Sequence, residues 1–333
     1  MLVIKRTLCG LLYLICMKKP PKNISIVIPC FNEDACLNVL YEELCPVMDK
    51  LSCPYELIFV DDGSTDHTLE TILLLSEQDF HVRWLSFSRN FGHQKALKAG
   101  LDYSQGEVVI TMDADMQHPS ALIFDMLACW ADGYDIVDTI RIDSKQSNCF
   151  KTVSSRLFYR LMNFLSDVTV TEGCADFRLL DRKVIEALRG CREEYLFLRG
   201  MVSWVGFHRI QIPYQARMRY AGTTKYSLKK MILFAICGIT SFSIRPLRWA
   251  ILFAAFFALL SITEIIYVLY AVFISGQAVT GWASLAILIS VLGAVILLML
   301  GIIGEYLGKM FMQCKNRPEY IVRSGNCSSS FNV

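Results

Sequence analysis

The sequence predicts an α/β protein: a doubly wound, mostly parallel sheet, followed by an interfacial helix and a two-helix transmembrane hairpin. Three observations point there. Between Lys22 and Lys230, short β-branched runs alternate with helical stretches. Polar clusters of Asp, Asn, Gly and Ser follow each of the first four runs. Beyond Lys230 the composition turns apolar, which accounts for most of the surplus in a chain that is 54% hydrophobic.

The elements follow in order. Ile24–Ile28 reads as a strand and Asp34–Leu51 as a helix; Glu56–Val60 as a strand and Thr68–Glu77 as a helix. Val82–Phe87 is a third strand, His93–Ser104 is helical, and Val108–Met112 is a fourth strand. In sheets of this kind ligands bind at the carboxyl ends of the strands. The polar clusters fall at those ends: Pro29 to Glu33, Asp61 to Asp66, Ser88 to His93, and Asp113-Ala114-Asp115. One such loop would be ordinary turn and cap chemistry; four on one rim call for another explanation. No GxGxxG is present, which argues against a nicotinamide or flavin site.

Trp249–Phe273 carries one charge, Glu264, and Ala283–Ile303 carries none. At ~1.5 Å rise per residue the second segment spans roughly 32 Å, the thickness of a hydrocarbon core. Lys229, Lys230, Arg245 and Arg248 precede the first segment, and Lys309, Lys315, Arg317 and Arg323 follow the second. The loop between them, from Ser275 to Trp282, has neither Lys nor Arg, so the positive-inside rule places both termini and the large domain in the cytoplasm. Glu264 reads as a functional intramembrane carboxylate, as a contact to another helix or subunit, or as a protonated side chain. Residues 226–247 are apolar with a basic start, as an interfacial helix would be. The N-terminal run Leu8–Met17 is too short to span, and no small-residue cleavage site follows it. The domains expected are therefore 1–22 (extension), 23–225 (catalytic), 226–247 (juxtamembrane), 248–305 (two helices) and 306–333 (cytoplasmic tail). The net charge of +2 gives no reason to expect nucleic acid as a partner, and 13 cysteines without a CxxC spacing read as reduced, small apolar residues.

The Asp113-Ala114-Asp115 turn alone is either an ordinary polar turn or a divalent-cation site. Four segments, VIPCFNE, FVDDGSTDHT, SFSRNFGHQKALKAGLD and TMDADMQHP, in this order and spacing, resemble glycosyltransferase family 2. The resemblance continues through TEGCADFRLLDRKV, FLRGMVSWVGF and RYAGTTKYS, and is strongest to the polyprenyl-phosphate glycosyltransferases of the bactoprenol glucosyltransferase type. Dolichyl-phosphate mannosyltransferase is a more distant relative.

The resemblance implies a GT-A fold and Mg²⁺ or Mn²⁺ on the diphosphate of a nucleotide sugar. It implies Asp115 and Gln117 as direct metal ligands, with Asp113 between ribose and metal. Pro29, Phe31, Glu33, Val60 and Asp62 would form the nucleoside pocket around the Ala114 turn. Asp61 would share that role or cap the following helix. Arg89 and Arg141 are candidates near the sugar diphosphate, the alternative being solvated loop charges. His118 reads as a surface group of the turn before Pro119, with ligation the alternative. Arg219 and Lys225 around a Gly turn would clamp phosphate, the alternative being a basic patch on anionic headgroups. Asp176 is the internal candidate for a base or an acceptor-orienting group, with Arg178 as its salt-bridge partner.

The expected reaction is inverting hexosyl transfer, glucose from UDP-glucose to undecaprenyl phosphate, in a bacterial inner membrane, by a homo-oligomer that family precedent makes a tetramer. Mannose, galactose and 4-amino-4-deoxyarabinose are alternative sugars, and an inactive nucleotide-sugar sensor or membrane scaffold is the alternative of another class. A processive synthase is disfavoured because no QxxRW is present.

Overall fold

A computed structural model describes residues 20–51, 53–142, 173–191, 193, 196–217, 243, 245–270, 273–274 and 281–327. The N-terminal run, the expected interfacial helix, and the Arg219 and Lys225 clamp lie outside the described residues, as does the side chain of Glu264.

The order begins β1 (Ile24–Cys30), α1 (Asp34–Met48), β2 (Tyr55–Asp61), α2 (Thr68–Gln78), β3 (Val82–Phe87), α3 (His93–Tyr103) and β4 (Val108–Thr111). It continues with α4 (Leu122–Ala131), β5 (Ile136–Ile142), β6 (Cys174–Asp181), α5 (Arg182–Arg189), α6 (Leu198–Trp204) and β7 (Arg209–Gln215). Two long helices, α7 (Arg245–Tyr270) and α8 (Trp282–Cys314), precede a last strand, β8 (Val322–Gly325). The first seven elements match the expected ones to within one or two residues at most ends. The exception is α1, which stops at Met48 instead of Leu51. Pro46 lies in its last turn, where it removes a backbone donor and crowds the preceding carbonyl.

All eight strands form one sheet in the order β7-β5-β6-β4-β1-β2-β3-β8. Pairing is parallel from β4 through β1 and β2 to β3, and between β5 and β7; β6 and β8 run against their neighbours. Every residue of β1 is buried, which is why its sequence is a nearly unbroken apolar run. Ile24, Ile26 and Ile28 face a core shared with Leu37, Leu40 and Leu44 of α1 and Met126 and Leu127 of α4. Val27 points the other way, into a core with Ala96, Leu97 and Leu101 of α3 and Leu198 of α6. Each such side chain contributes about 1.5–3 kcal/mol by leaving water.

Pro29 sits in this central strand, opposite Val60 of β2. Its missing N–H is harmless there, because the ladder to β4 ends at Val27↔Thr111 and Met112 N–H donates to Val27 O. From that point β1 and β4 part. Since the chain goes from β1 to one side and returns to β4 on the other, this parting is the topological switch point at which such sheets bind ligands.

Among the described residues one segment, Val291–Cys314, is long and apolar enough to cross a membrane; the apolar run within α7, Ala255–Tyr267, is shorter. The two helices pack on each other and expose large apolar side chains, including Leu252, Phe256, Leu259 and Leu297. The expected tail at 306–333 is different in the structure. α8 runs on to Cys314, and 322–325 return as the eighth strand beside β3, where the β3 edge still had donors and acceptors to pair. Tyr320 stacks on Phe87 with ring centroids 5.3 Å apart and donates to Asp102 Oδ2 at 3.0 Å. Asn326 Oδ1 accepts from Trp84 N–H at 2.7 Å. Nine cysteines lie among the described residues and none is in a disulfide.

Candidate active site

The rim loops after β1, β2 and β3 are fastened to one another by their own polar residues. Asn32, at φ 56°, donates its N–H to Ser64 Oγ at 3.1 Å, and its Oδ1 accepts from Thr65 N–H at 2.9 Å. Asp61 accepts from Ser64 N–H at 3.0 Å and from Ser86 Oγ at 2.8 Å, so it braces the turn rather than capping α2, whose Thr68 N–H goes to Asp66. Asp62 reaches the third loop, accepting from Phe91 N–H at 2.6 Å and from Gly92 N–H at 2.9 Å. Burial pushes the Asp62 carboxyl above its ordinary range, against the lowering effect of those two N–H groups. Pro29 and Val60 are buried opposite each other in β1 and β2, and Phe31 and Glu33 in the loop after β1 are half-buried. Arg89 is exposed, with its guanidinium 4.1 Å from the Phe91 ring centre.

The carboxylate turn follows β4. Met116 adopts φ 64°, Ala114 is buried, and Asp115 accepts its own loop's Gln117 N–H at 3.1 Å. Asp113 lies between two histidines: Oδ2 is 3.1 Å from His118 Nε2 and Oδ1 is 3.4 Å from His93 Nε2. Burial would raise Asp113, but the His118 hydrogen bond and the His93 charge outweigh it and hold the carboxyl below its ordinary value. One donor atom each from Asp113, Asp115 and His118 lie within 4.8 Å of one another, and Asp113 Oδ1 is buried without a hydrogen-bond partner. Two carboxylates, one with an oxygen that accepts no hydrogen bond, fit a hard divalent cation. Gln117 Oε1 accepts from Arg141 at 3.0 Å, so one lone pair of that expected ligand is in use.

Asp176 reaches the same rim because β6 runs antiparallel and presents its beginning where its neighbours present their ends. Arg199, in the first turn of α6, grips it bidentately at 2.8 and 2.9 Å; Arg178 stands 3.4 Å away and His93 Nε2 3.6 Å. Gln94 donates to Oδ2 at 3.3 Å. Burial would raise this carboxyl, yet Arg199, His93 and Arg178 hold it well below the carboxylate range. Conversely, burial opposes charging His93, but Asp176 and Asp113 bring the imidazole up to about 9.

The fold thus brings Asp113, Asp115, Gln117, Arg141 and Asp176 to one rim. His118 is not a surface group: its side chain is 5% exposed and packs against Phe177 and Tyr214, because the Met116 turn folds it inward. His93, Gln94, Arg199 and Tyr214 were not singled out from the sequence. His93 and Gln94 stand in the GHQ of the third rim loop, and Arg199 in FLRG, so their motifs were visible but their roles were not.

Residues 25–189 match the sequence profile of Glycosyl transferase family 2. An uncharacterized glycosyltransferase of Bacillus subtilis, YkcC, is 40% identical over 90% of this chain and 93% of its own. A bactoprenol glucosyl transferase of Shigella phage SfII is 36% identical over 91% of this chain and 98% of its own. Among solved structures, the mannosyltransferase PcManGT from Pyrobaculum calidifontis, in complex with GDP-Man and Mn²⁺, is similar at a TM-score of 0.47 and 17% identity over 70% of each chain. That likeness is too distant for its ligands to speak for this chain.

Proposed function

This chain belongs to glycosyl transferase family 2, and from that premise we propose that it transfers glucose from UDP-glucose to undecaprenyl phosphate at the cytoplasmic face of a bacterial membrane. The observation that carries the reading is the union in one chain of a carboxylate turn at the switch point with two apolar helices inserted between β7 and β8 of a single sheet. A membrane segment that starts and ends at one sheet must cross an even number of times. If α8 crosses, α7 is its return, and a two-helix hairpin is the simplest solution. The likeness to bactoprenol glucosyl transferase runs through these helices, which favours a lipid acceptor.

In this reading the loops after β1 and β2 hold the nucleoside, with Phe31, Glu33 and Asp62 against it. Asp113, Asp115 and Gln117 would hold Mg²⁺ or Mn²⁺, which when bound neutralises charge on the departing diphosphate. An oxygen of the lipid phosphate attacks the anomeric carbon from the face opposite the diphosphate. The bond from that carbon to the diphosphate oxygen breaks, its electron pair leaves with UDP, and the anomeric configuration inverts. A phosphate monoester is already ionised near neutral pH, so no strong base is needed. Asp176, gripped by Arg199 and backed by the buried Arg178, is a weak base and acts as the fixed anion that aligns Arg199 toward the acceptor. Arg219 and Lys225 would complete the phosphate clamp, and a homotetramer is the assembly expected from the resemblance.

Membranes containing the protein, given polyprenyl phosphate and a panel of radiolabelled UDP- and GDP-sugars, test this directly. Lipid-linked glucose from UDP-glucose is the expected product. Label from another sugar alone would replace the donor, and no lipid-linked label from any donor would remove the acceptor. Asp115→Ala is expected to lower transfer by at least about 10³-fold, the scale of losing several kcal/mol of charge stabilisation. Undiminished transfer by that variant would sink the metal assignment.

A further inference from the structure

His118 raises a question that distance alone does not answer. With Asp113 and Asp115 it forms a three-donor group within 4.8 Å, so it has the reach of a metal ligand. Its other nitrogen, Nδ1, is 3.1 Å from the hydroxyl of Tyr214, which stands near the end of β7 and is 5% exposed. Counting protons in this arrangement favours brace over ligand. A neutral imidazole has one N–H and one lone pair. If Nδ1 carried the proton, it would donate to Tyr214. The Nε2 lone pair would then face the Asp113 carboxylate, and the Tyr214 hydroxyl proton would be buried with His118 as its only described hydrogen-bond partner. If Nε2 carries the proton, every group is satisfied: Tyr214 O–H donates to Nδ1, and Nε2–H donates to Asp113 Oδ2 at 3.1 Å.

We propose that Tyr214 and His118 form a hydrogen-bonded brace that positions Asp113, and that His118 is not itself a metal ligand. The proposal rests on the metal-dependent transfer reading. The brace is stiff because the imidazole is buried between Phe177 and Tyr214, at centroid distances of 4.9 and 5.7 Å. With Oδ2 held by His118, Asp113 keeps Oδ1, the oxygen without a hydrogen bond, on the side of His93. The brace also ties the outer strand pair to the catalytic turn, since β7 pairs only with β5 among the described strands and Tyr214 lies opposite Arg141 in that pairing. His118 is therefore a positioning residue, acting on the cation through Asp113.

The test measures Mn²⁺ affinity by electron paramagnetic resonance titration of the full-length protein in detergent with UDP present, alongside thermal melts and the KM for UDP-glucose. His118→Leu is expected to weaken Mn²⁺ binding by about tenfold and Tyr214→Phe by about threefold, the outer-shell scale or just below it. His118→Gln, whose amide can still donate to Asp113, is expected to stay within about threefold of wild type. Electron spin-echo modulation on the bound Mn²⁺ should show no directly coordinated ¹⁴N. Should His118→Leu fail to fold, Tyr214→Phe carries the test, because it removes a single oxygen. Wild-type affinity in the soluble variants overturns the brace alone. A coordinated ¹⁴N that vanishes in His118→Gln overturns it by making His118 a ligand. No Mn²⁺ binding by the wild-type protein overturns the brace together with the metal-dependent reading.

Discussion

Asp176 stands between two arginines in a line of alternating charges. Arg209 pairs with Asp138 at 2.7 Å, Asp138 with Arg178 at 3.6 Å, Arg178 with Asp176 at 3.4 Å, and Asp176 with Arg199 at 2.8 Å. Its carboxyl is held well below the ordinary range by Arg199, His93 and Arg178 against the effect of burial. The folded value lies below the unfolded one, so ionised Asp176 contributes stability that is complete above the ordinary carboxylate value of about 3.9 and is lost only as pH falls through the depressed value. Arg199→Gln raises the folded value. The contribution then shrinks at neutral pH, and what remains is lost at a higher pH than in wild type. Breaking a fully buried pair costs about 3–5 kcal/mol; Arg199 is 27% exposed and Arg178 stays, so about 1–3 kcal/mol is expected. Thermal unfolding from about pH 2 to pH 8, a range that brackets the ordinary carboxylate value, measures both effects, and the same neutral-pH stability and acid limb as wild type would rule out the anchor role. Asp176 and Arg178 were legible as a pair in ADFR, but Arg199 was not, because the contact spans 23 residues and depends on how α6 docks.

At the scale of elements, the proposed donor pocket depends on loops that hold one another in place. Gly63, at φ 66°, lets the second loop pass under the third: a Cβ there would lie 2.5 Å from the Arg89 carbonyl carbon. The neighbouring atoms of Arg89 and Asn90 cannot yield easily, because they are backbone. Gly63→Ala is expected to cost at least about 1 kcal/mol from the left-handed conformation, with the clash added. It should also raise the KM for UDP-glucose, since Asp62 and the third loop move together. Melting temperature and donor KM check this; if neither changes, the loops are not mutually fixed. The strands and the first helices were readable because apolar runs bounded by Asn, Asp and Gly are local signals. α1 ends short of the expected Leu51 with Pro46 in its last turn, a break that the apolar pattern alone does not show.

For the whole molecule, the C-terminal strand matters most. β8 closes the β3 edge after α8, with Tyr320 and Asn326 bonded to the domain on either side of it. The chain around α7 and α8 is therefore anchored at both ends to one sheet. A reporter fused at the C-terminus is expected on the same side of the membrane as the catalytic domain, and one inserted within 275–280 on the opposite side. Protease protection or a compartment-specific reporter reads the outcome. Both reporters on one side would leave the helices lying along the membrane rather than crossing it.

What the sequence determined by itself was whatever is encoded over a few residues. That covers the strand and helix runs, the rim position of each polar loop, the carboxylate turn, the apolar segments, and a family resemblance strong enough to name the chemistry. Tertiary structure alone decided the partners of those residues. Tyr214 meets His118 from 96 positions away, and residues 322–325 of the expected tail pair as a strand of the sheet. Such pairings follow from strand order and the direction of β6, which are set by how whole faces bury against one another. No local pattern carries that information, so a turn histidine read as exposed is instead buried against the Asp113 carboxylate.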